Sequence, residues 1–267
     1  MEPEAREQRF VFGEVAELYD RARAGYPAEL VDDVLSFVGR DADRLRVLEV
    51  GAGTGKATVA FAARGLEILA LEPDPAMGAV ALRNCQRFPG VRIVRSTFED
   101  WPVEEGRFDL LLAAQSWHWV DPEVRWVKAA QVLQAGATLA LMGHHVHWQG
   151  EPLRDELEDV YSRVAPELLA RHPGFPGLHP DSGDAEVAVD IAQPGRFRDA
   201  TVRTYPWSEH LTSGGFLERL ATQSNHRLLP AAERDDLFEA VRDVIVAHGG
   251  AVTIPGITVL TLARLAA

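Results

Sequence analysis

The spacing of apolar residues changes register along the chain, and each change predicts a different element. Phe12, Val15, Ala16 and Tyr19 can share one helical face, and Leu30, Val31, Val34, Leu35 and Val38 repeat at 3.6-residue spacing. From residue 44 short apolar runs alternate with helical stretches. Runs at 45–50, 67–71, 91–95, 108–113 and 138–142 read as strands, with helices expected at 57–63, 75–84 and 122–133. Such alternation predicts a mostly parallel sheet covered on both faces. The rhythm then breaks. Residues 151–164 read as a helix with Leu153, Leu157, Val160 and Val164 on one side, and a Gly- and Pro-rich insertion follows, the kind of segment that forms a lid or substrate wall. A strand at 200–205, helices at 216–222 and 234–248, and a last apolar stretch at 252–265 complete the pattern. Pro255-Gly256 interrupts that stretch, so a strand or bulged hairpin closing the sheet edge is expected.

Around the first strand the sequence is Val47-Leu48-Glu49-Val50-Gly51-Ala52-Gly53-Thr54-Gly55-Lys56. A buried strand runs into a tight turn and a helix N-terminus, whose free N–H groups favour polar or anionic ligands. No Gly-Lys-Ser/Thr ends the loop, so it is not a Walker A motif. The third glycine also comes one residue too early for the dinucleotide fingerprint. At the end of the second strand, in Ala70-Leu71-Glu72-Pro73-Asp74, Glu72 is placed to accept hydrogen bonds from ribose hydroxyls, and Asp74 can cap the helix that Pro75 begins.

Glu49-x-Gly51-x-Gly53-x-Gly55 resembles motif I of the class I S-adenosylmethionine-dependent methyltransferases. The resemblance extends in order through residues 70–77, 95–102 and 108–121, and Tyr19-Asp20-Arg21 with Tyr26-Pro27 is similar to an N-terminal element that folds over the cofactor in these enzymes. Residues 222–226 and 234–249 resemble the subgroup near the trans-aconitate and ubiquinone-pathway methyltransferases. The family implies a Rossmann-like three-layer α/β sandwich with strand order 3-2-1-4-5-7-6 and an antiparallel seventh strand. It implies a single domain over 1–267, with N-terminal helices and a cofactor lid in 1–43, a cofactor-binding core in 44–142 and a substrate-side insertion in 150–186. It also implies a cofactor set: Tyr19, Glu49, Gly51, Ala52, Gly53, Gly55, Glu72, Pro73, Thr97, Phe98, Glu99, Gln115 and Ser116. Many members carry an acid at the position of Thr97. Here Glu99 or the Phe98 backbone is left to meet the adenine amine.

Two further stretches carry candidate chemistry. Ala114-Gln115-Ser116-Trp117-His118-Trp119 lies at the carboxyl edge of a central strand, where open α/β sheets bind ligands. His118 lies in or beside that cleft, as a base or as a structural group. His144-His145-Val146-His147 follows the fifth strand. His145 and His147 would share a side, with Glu151 and Asp155 as possible further ligands, but cleft lining is the better reading and no metal is expected. His118 and His145 are therefore the candidate catalytic residues, because histidine titrates near working pH.

Composition narrows the picture. With 267 residues, 46% of them hydrophobic, the chain suffices for one large domain. The net charge of −13 discourages binding to phosphate backbones, so nucleic acid is not an expected partner. Cys85 is the single cysteine, which excludes an internal disulfide or cysteine zinc site. No run suits a signal peptide or a membrane span. The expectation is a cytoplasmic enzyme, a monomer or weak homodimer, that moves a methyl group from S-adenosyl-L-methionine to a small-molecule acceptor. Two alternatives share the strand–loop–helix logic: a nicotinamide-dependent oxidoreductase and a catalytically silent cofactor-binding partner module.

Overall fold

β1 (Arg46–Val50) exposes only its first residue; Val47, Leu48, Glu49 and Val50 are all buried. A strand buried on both faces needs a layer on each side, and the computed structural model, which describes residues 11–39, 45–103, 107–146, 152–171 and 195–266, supplies both. β1 lies between β2 (Glu67–Leu71) and β4 (Phe108–Ala114), parallel to both. β3 (Val91–Val94) flanks β2, and β5 (Leu133–Val146) flanks β4, again in parallel. β6 (Phe197–Thr212) and β7 (Ala251–Leu265) complete a seven-stranded sheet of order 3-2-1-4-5-7-6, in which β7 runs antiparallel to both β5 and β6. This is the Rossmann-like three-layer sandwich expected.

The helices cover the sheet by their apolar faces. A 3-10 turn at Phe12–Val15 leads into α1 (Ala16–Ala22), and α2 spans Ala28–Val38. α3 (Lys56–Ala62) and α4 (Pro75–Cys85) follow β1 and β2. α5 (Pro122–Val132) precedes β5, and α6 (Pro152–Val164) with α7 (Pro166–Arg171) follows it. α8 (Ser213–Ala221), α9 (Ser224–Arg227) and α10 (Ala231–Ala247) lie between β6 and β7. Alternate strand residues divide between two cores. Leu48, Val50, Leu111 and Ala113 pack with Trp117 and Trp126 on one face, while Val47, Ile68, Leu110 and Leu112 pack with Val34 of α2 and Phe61 of α3 on the other. A third cluster joins Leu157 and Tyr161 of α6, Phe216 and Leu220 of α8, Val241 of α10 and Ile254 of β7 into a helical cap at one end of the sheet.

Several expected boundaries change. β5 runs 133–146 instead of 138–142, because Leu133 pairs with Phe108 of β4 and residues 143–146 pair along β7; β6 runs 197–212 instead of 200–205, because β7 partners it from Phe197 to Thr212. The last apolar stretch is one unbroken strand, not a hairpin, and β6 is the edge. β5 ends opposite Gly256, so Pro255 lies past it and has no ladder bond to give on that side. Gly256 is needed because the Trp207 ring lies against it: a Cβ there would fall 2.2 Å from Trp207 Cζ2. α1 continues past Tyr19 to Ala22.

Candidate functional site

At the carboxyl end of β1 the backbone turns through Gly51 (φ +68°) and Gly53 (φ +59°). Gly51 is forced twice. Its φ is left-handed, and a Cβ would lie 2.6 Å from Ser116 Cβ. The Ser116 hydroxyl donates to the Val50 carbonyl, tying the β4 end to the turn. Glu72, buried to 7% exposure, closes the turn from the β2 side. Its Oε2 accepts from Gly53 N at 2.7 Å and its Oε1 from Asp74 N at 2.8 Å. Burial pushes its carboxyl up to about 7, with the Asp74 and Gly53 amides pulling the other way. Asp74 caps α4 through Ala76 N and Met77 N, with Pro75 in the first turn.

Glu49 sits beneath this loop at 1% exposure, on the strand face it shares with Val47. Neither carboxylate oxygen accepts a hydrogen bond of good geometry among the described residues. Burial pushes it up to about 7, against the pull of neighbouring Thr58, and the charge of Glu72 adds to the rise. It does not line the cavity in front of the loop, and neither does Gly55, whose missing Cβ admits Ala81 Cα and Cys85 Sγ of α4.

That cavity, about 520 Å³, opens along the carboxyl edge of the sheet. Gly51, Ala52, Gly53, Glu72 and Pro73 form one end. The loop after β3 adds Thr97, Phe98 and Glu99. Thr97 Oγ1 donates to Asp100 Oδ2 at 2.8 Å and so closes a local turn. Glu99 Oε1 accepts from Asp121 N at 3.1 Å, and Lys128 Nζ donates to its carbonyl at 2.6 Å. After β4, Gln115 lines the cavity with φ +60°, a conformation uncommon for any residue but glycine. It is held by Gln115 N donating to Met142 O at 2.8 Å and by Nε2 donating to His144 O at 3.3 Å. Ser116 and the 3-10 turn Trp117–Trp119 follow. His118 and Trp119 face the cavity, while Trp117 packs inward against Phe98 and Trp126.

The far end departs from the sequence expectation. His145 does not line the cavity; His144, one residue earlier, does, because successive side chains of a strand point to opposite faces. His144 Nδ1 lies 2.8 Å from Thr258 Oγ1, and its ring stacks on Tyr26 at 4.7 Å. Its Nε2 has no hydrogen-bond partner among the described residues. Burial, with the charges of Arg219 and Arg23, pushes it down to about 4, so the ring is neutral at neutral pH. His147 lies outside the described residues. Phe12, Tyr19, Arg23, Ala24 and Tyr26 cover the cavity from the N-terminal element. Within the insertion, α6 and α7 contribute no lining residue, and 172–186 lie outside the described residues. Instead α8 and the turn after it bring in Arg219, Gln223, Ser224 and Asn225. In the sequence, residues 222–226 stood out only by their resemblance to a methyltransferase subgroup, and nothing marked Arg219.

The loop end suits the adenosyl cofactor of the expected family. Gly51 and Gly53 keep Cβ atoms out of two turn positions that line the cavity, and a buried carboxylate with remaining acceptor capacity sits where ribose hydroxyls would donate. Residues 48–141 match a family model described as a methyltransferase domain. Over 266 residues the chain is 30% identical to uncharacterised methyltransferases of Mycobacterium tuberculosis and Mycobacterium bovis, covering 98% of each chain. The fold resembles the YcgJ protein of Bacillus subtilis (TM-score 0.54, 15% identity, 90% of this chain and 99% of that one). It also resembles a phosphoethanolamine N-methyltransferase of Haemonchus contortus (TM-score 0.55, 14% identity, 96% of this chain and 58% of that one). These relatives set aside the nicotinamide alternative. The chain belongs to the class I S-adenosylmethionine-dependent methyltransferases, enzymes built to place that cofactor's methyl group beside an acceptor.

Proposed function

We propose that the cavity is divided along its length, with S-adenosylmethionine over the β1–β2 end and the methyl acceptor between His118, His144 and the α8–α9 turn. The observation that carries this reading is the continuity of one cavity from the Gly51–Gly53 turn and Glu72 to His144 and Arg219. When bound, the cofactor supplies an electrophilic methyl on a sulfonium, so the protein needs alignment and exclusion of water more than a catalytic triad. In this reading Glu72 holds the ribose, and Glu49 supports the loop from beneath. Gly51, Ala52, Gly53, Gly55 and Pro73 shape the cradle. Thr97, Phe98 and Glu99 flank the adenine, with Gln115 and Ser116 beside the methionine part and Tyr19 over it. His118 remains the candidate base. His144 replaces His145 as the imidazole toward the acceptor, where as a neutral ring it orients a polar group through Nε2.

The reading extends to a cytoplasmic monomer or weak homodimer that acts on a small acceptor and not on nucleic acid, which the net charge of −13 supports. The likeness of residues 222–226 to the trans-aconitate and ubiquinone-pathway subgroup supports a small organic acceptor. Calorimetry is the test. S-adenosylmethionine should bind with a Kd on the order of micromolar, about 8 kcal/mol, and NAD should show no saturable heat. Saturable binding of NAD alone would sink the assignment.

A further inference from the structure

Charge is distributed unevenly along the cavity. The acids that line it, Glu72, Asp74 and Glu99, belong to the strand ends beneath the cofactor position, where a lining cation, Lys56, is paired with Asp20; Arg23 and Arg219 line the part near His144. Arg219 is buried and Arg23 half-buried, and desolvation lowers the pKa of each. Arg23 Nε donates to Thr222 Oγ1 at 2.8 Å and stacks over Tyr19, and among the described residues no carboxylate pairs with it. Arg219, 7% exposed, lies over the Trp207 ring and pairs with Glu209, which does not line the cavity. The two guanidinium groups are close enough that Arg23 disfavours the charge on Arg219. Between them the cluster carries two positive charges and one negative. Gln223, also 7% exposed, lines the same region, and its side-chain Oε1 has no partner among the described residues; a half-turn of that amide would present a donor instead. Uncompensated buried cations are unfavourable unless a ligand completes them.

We infer that Arg23, Arg219 and Gln223 form an oxyanion subsite that binds a carboxylate or phosphate group of the methyl acceptor. The inference rests on the division of the cavity proposed above. The other source of a carboxylate is the methionine end of the cofactor. That molecule carries a sulfonium and an ammonium against one carboxylate, so its arrival makes the cavity more positive overall. An anionic acceptor restores the balance, and guanidinium groups recognise planar oxyanions through paired donors.

The test uses the full chain saturated with S-adenosylhomocysteine, with hexanoate, hexyl phosphate, methyl hexanoate and hexylamine as probes, read by saturation-transfer NMR. One or both anions should bind about tenfold or more tightly than the ester and the amine, and which of the two does so identifies the oxyanion. R219Q and R23Q should each weaken that anion about tenfold, while S-adenosylhomocysteine affinity by calorimetry changes by less than about threefold. Equal binding of ester and anions, or anion binding unmoved by both substitutions, would overturn the inference, and the wild-type comparison holds even if a variant fails to fold. A matching loss of S-adenosylhomocysteine affinity in both variants would also overturn it, assigning the guanidinium groups to the cofactor's carboxylate. Failure of the wild-type chain to bind S-adenosylhomocysteine would instead defeat the proposed function, a result read separately from the probes.

Discussion

Two buried carboxylates, Glu49 and Glu72, set the behaviour of the site at the scale of single residues. Glu72 directly follows β2. It is buried, and its two oxygens already hold the Gly53 and Asp74 amides. Glu72→Ala should therefore weaken S-adenosylhomocysteine binding both by removing charge-assisted hydrogen bonds, each about 1.5–3 kcal/mol, and by loosening the turn. Calorimetry should show a loss of about tenfold or more, and unchanged affinity would refute the ribose role. Glu49 gives a prediction about pH. Its folded carboxyl titrates at about 7 against an ordinary 4.5. Between those values the folded chain holds a proton that the unfolded chain releases, so this group's contribution to stability falls as pH rises through the window. His144 acts in the opposite sense, losing stability as pH falls from 6.5 toward 4. Urea unfolding of the ligand-free chain at pH 5 and pH 7.5 should show Glu49→Gln gaining stability relative to wild type at the higher pH and little at the lower. An equal difference at both would contradict the buried-acid account.

Among the elements, the N-terminal turn and α1 have the clearest link to the cavity. Phe12 contacts Trp119 edge-on at 6.1 Å and Tyr19 at 5.9 Å, Arg83 of α4 pairs with Glu17, and Tyr26 stacks on His144. Few fully buried residues hold this element: Ala16, Met77 and Val80 form a small cluster of their own. A weakly cored segment lying over a cavity is the kind that orders with ligand. Hydrogen exchange should show protection rising over residues 11–26 and the Gly51–Gly55 turn when S-adenosylhomocysteine binds, with little change in α6. No change in 11–26 at saturation would reduce Tyr19 and Tyr26 to packing residues. The same measurement separates the two candidate acceptor walls. α8 and α9 line the cavity and α6 does not, so an added anionic probe should alter exchange at 217–226 and leave 153–164 unaltered.

At the scale of the whole molecule, the three large apolar clusters among the described residues divide the work: two hold the helices to the sheet, and the third builds the cap that carries Arg219. Ile68→Val in a sheet core and Ile254→Val in the cap should each cost about 0.5–1.5 kcal/mol, with the two costs adding to within about 0.5 kcal/mol if the chain unfolds as one unit. Urea denaturation of the two single variants and the double would show this, and a broadened or biphasic transition would reveal a cap that melts alone. The sequence by itself determined the parallel core. Short runs buried on both faces, a glycine turn and an acid at the next strand end are local signals, and each residue there is constrained mainly by its own neighbours in the chain. The cavity-lining positions from Gly51 to Ser116 were legible for the same reason. Only the tertiary structure decided the far end of the cavity, around His144 and Arg219. Which histidine faces the cavity depends on the register of β5 against β7, and a one-residue shift would exchange His144 for His145. The length of β6, the unbroken passage of β7 through Pro255-Gly256, and the meeting of Arg23 with Arg219 likewise depend on partners far apart in sequence. Periodicity reports which face of an element is buried, but not which distant element covers it.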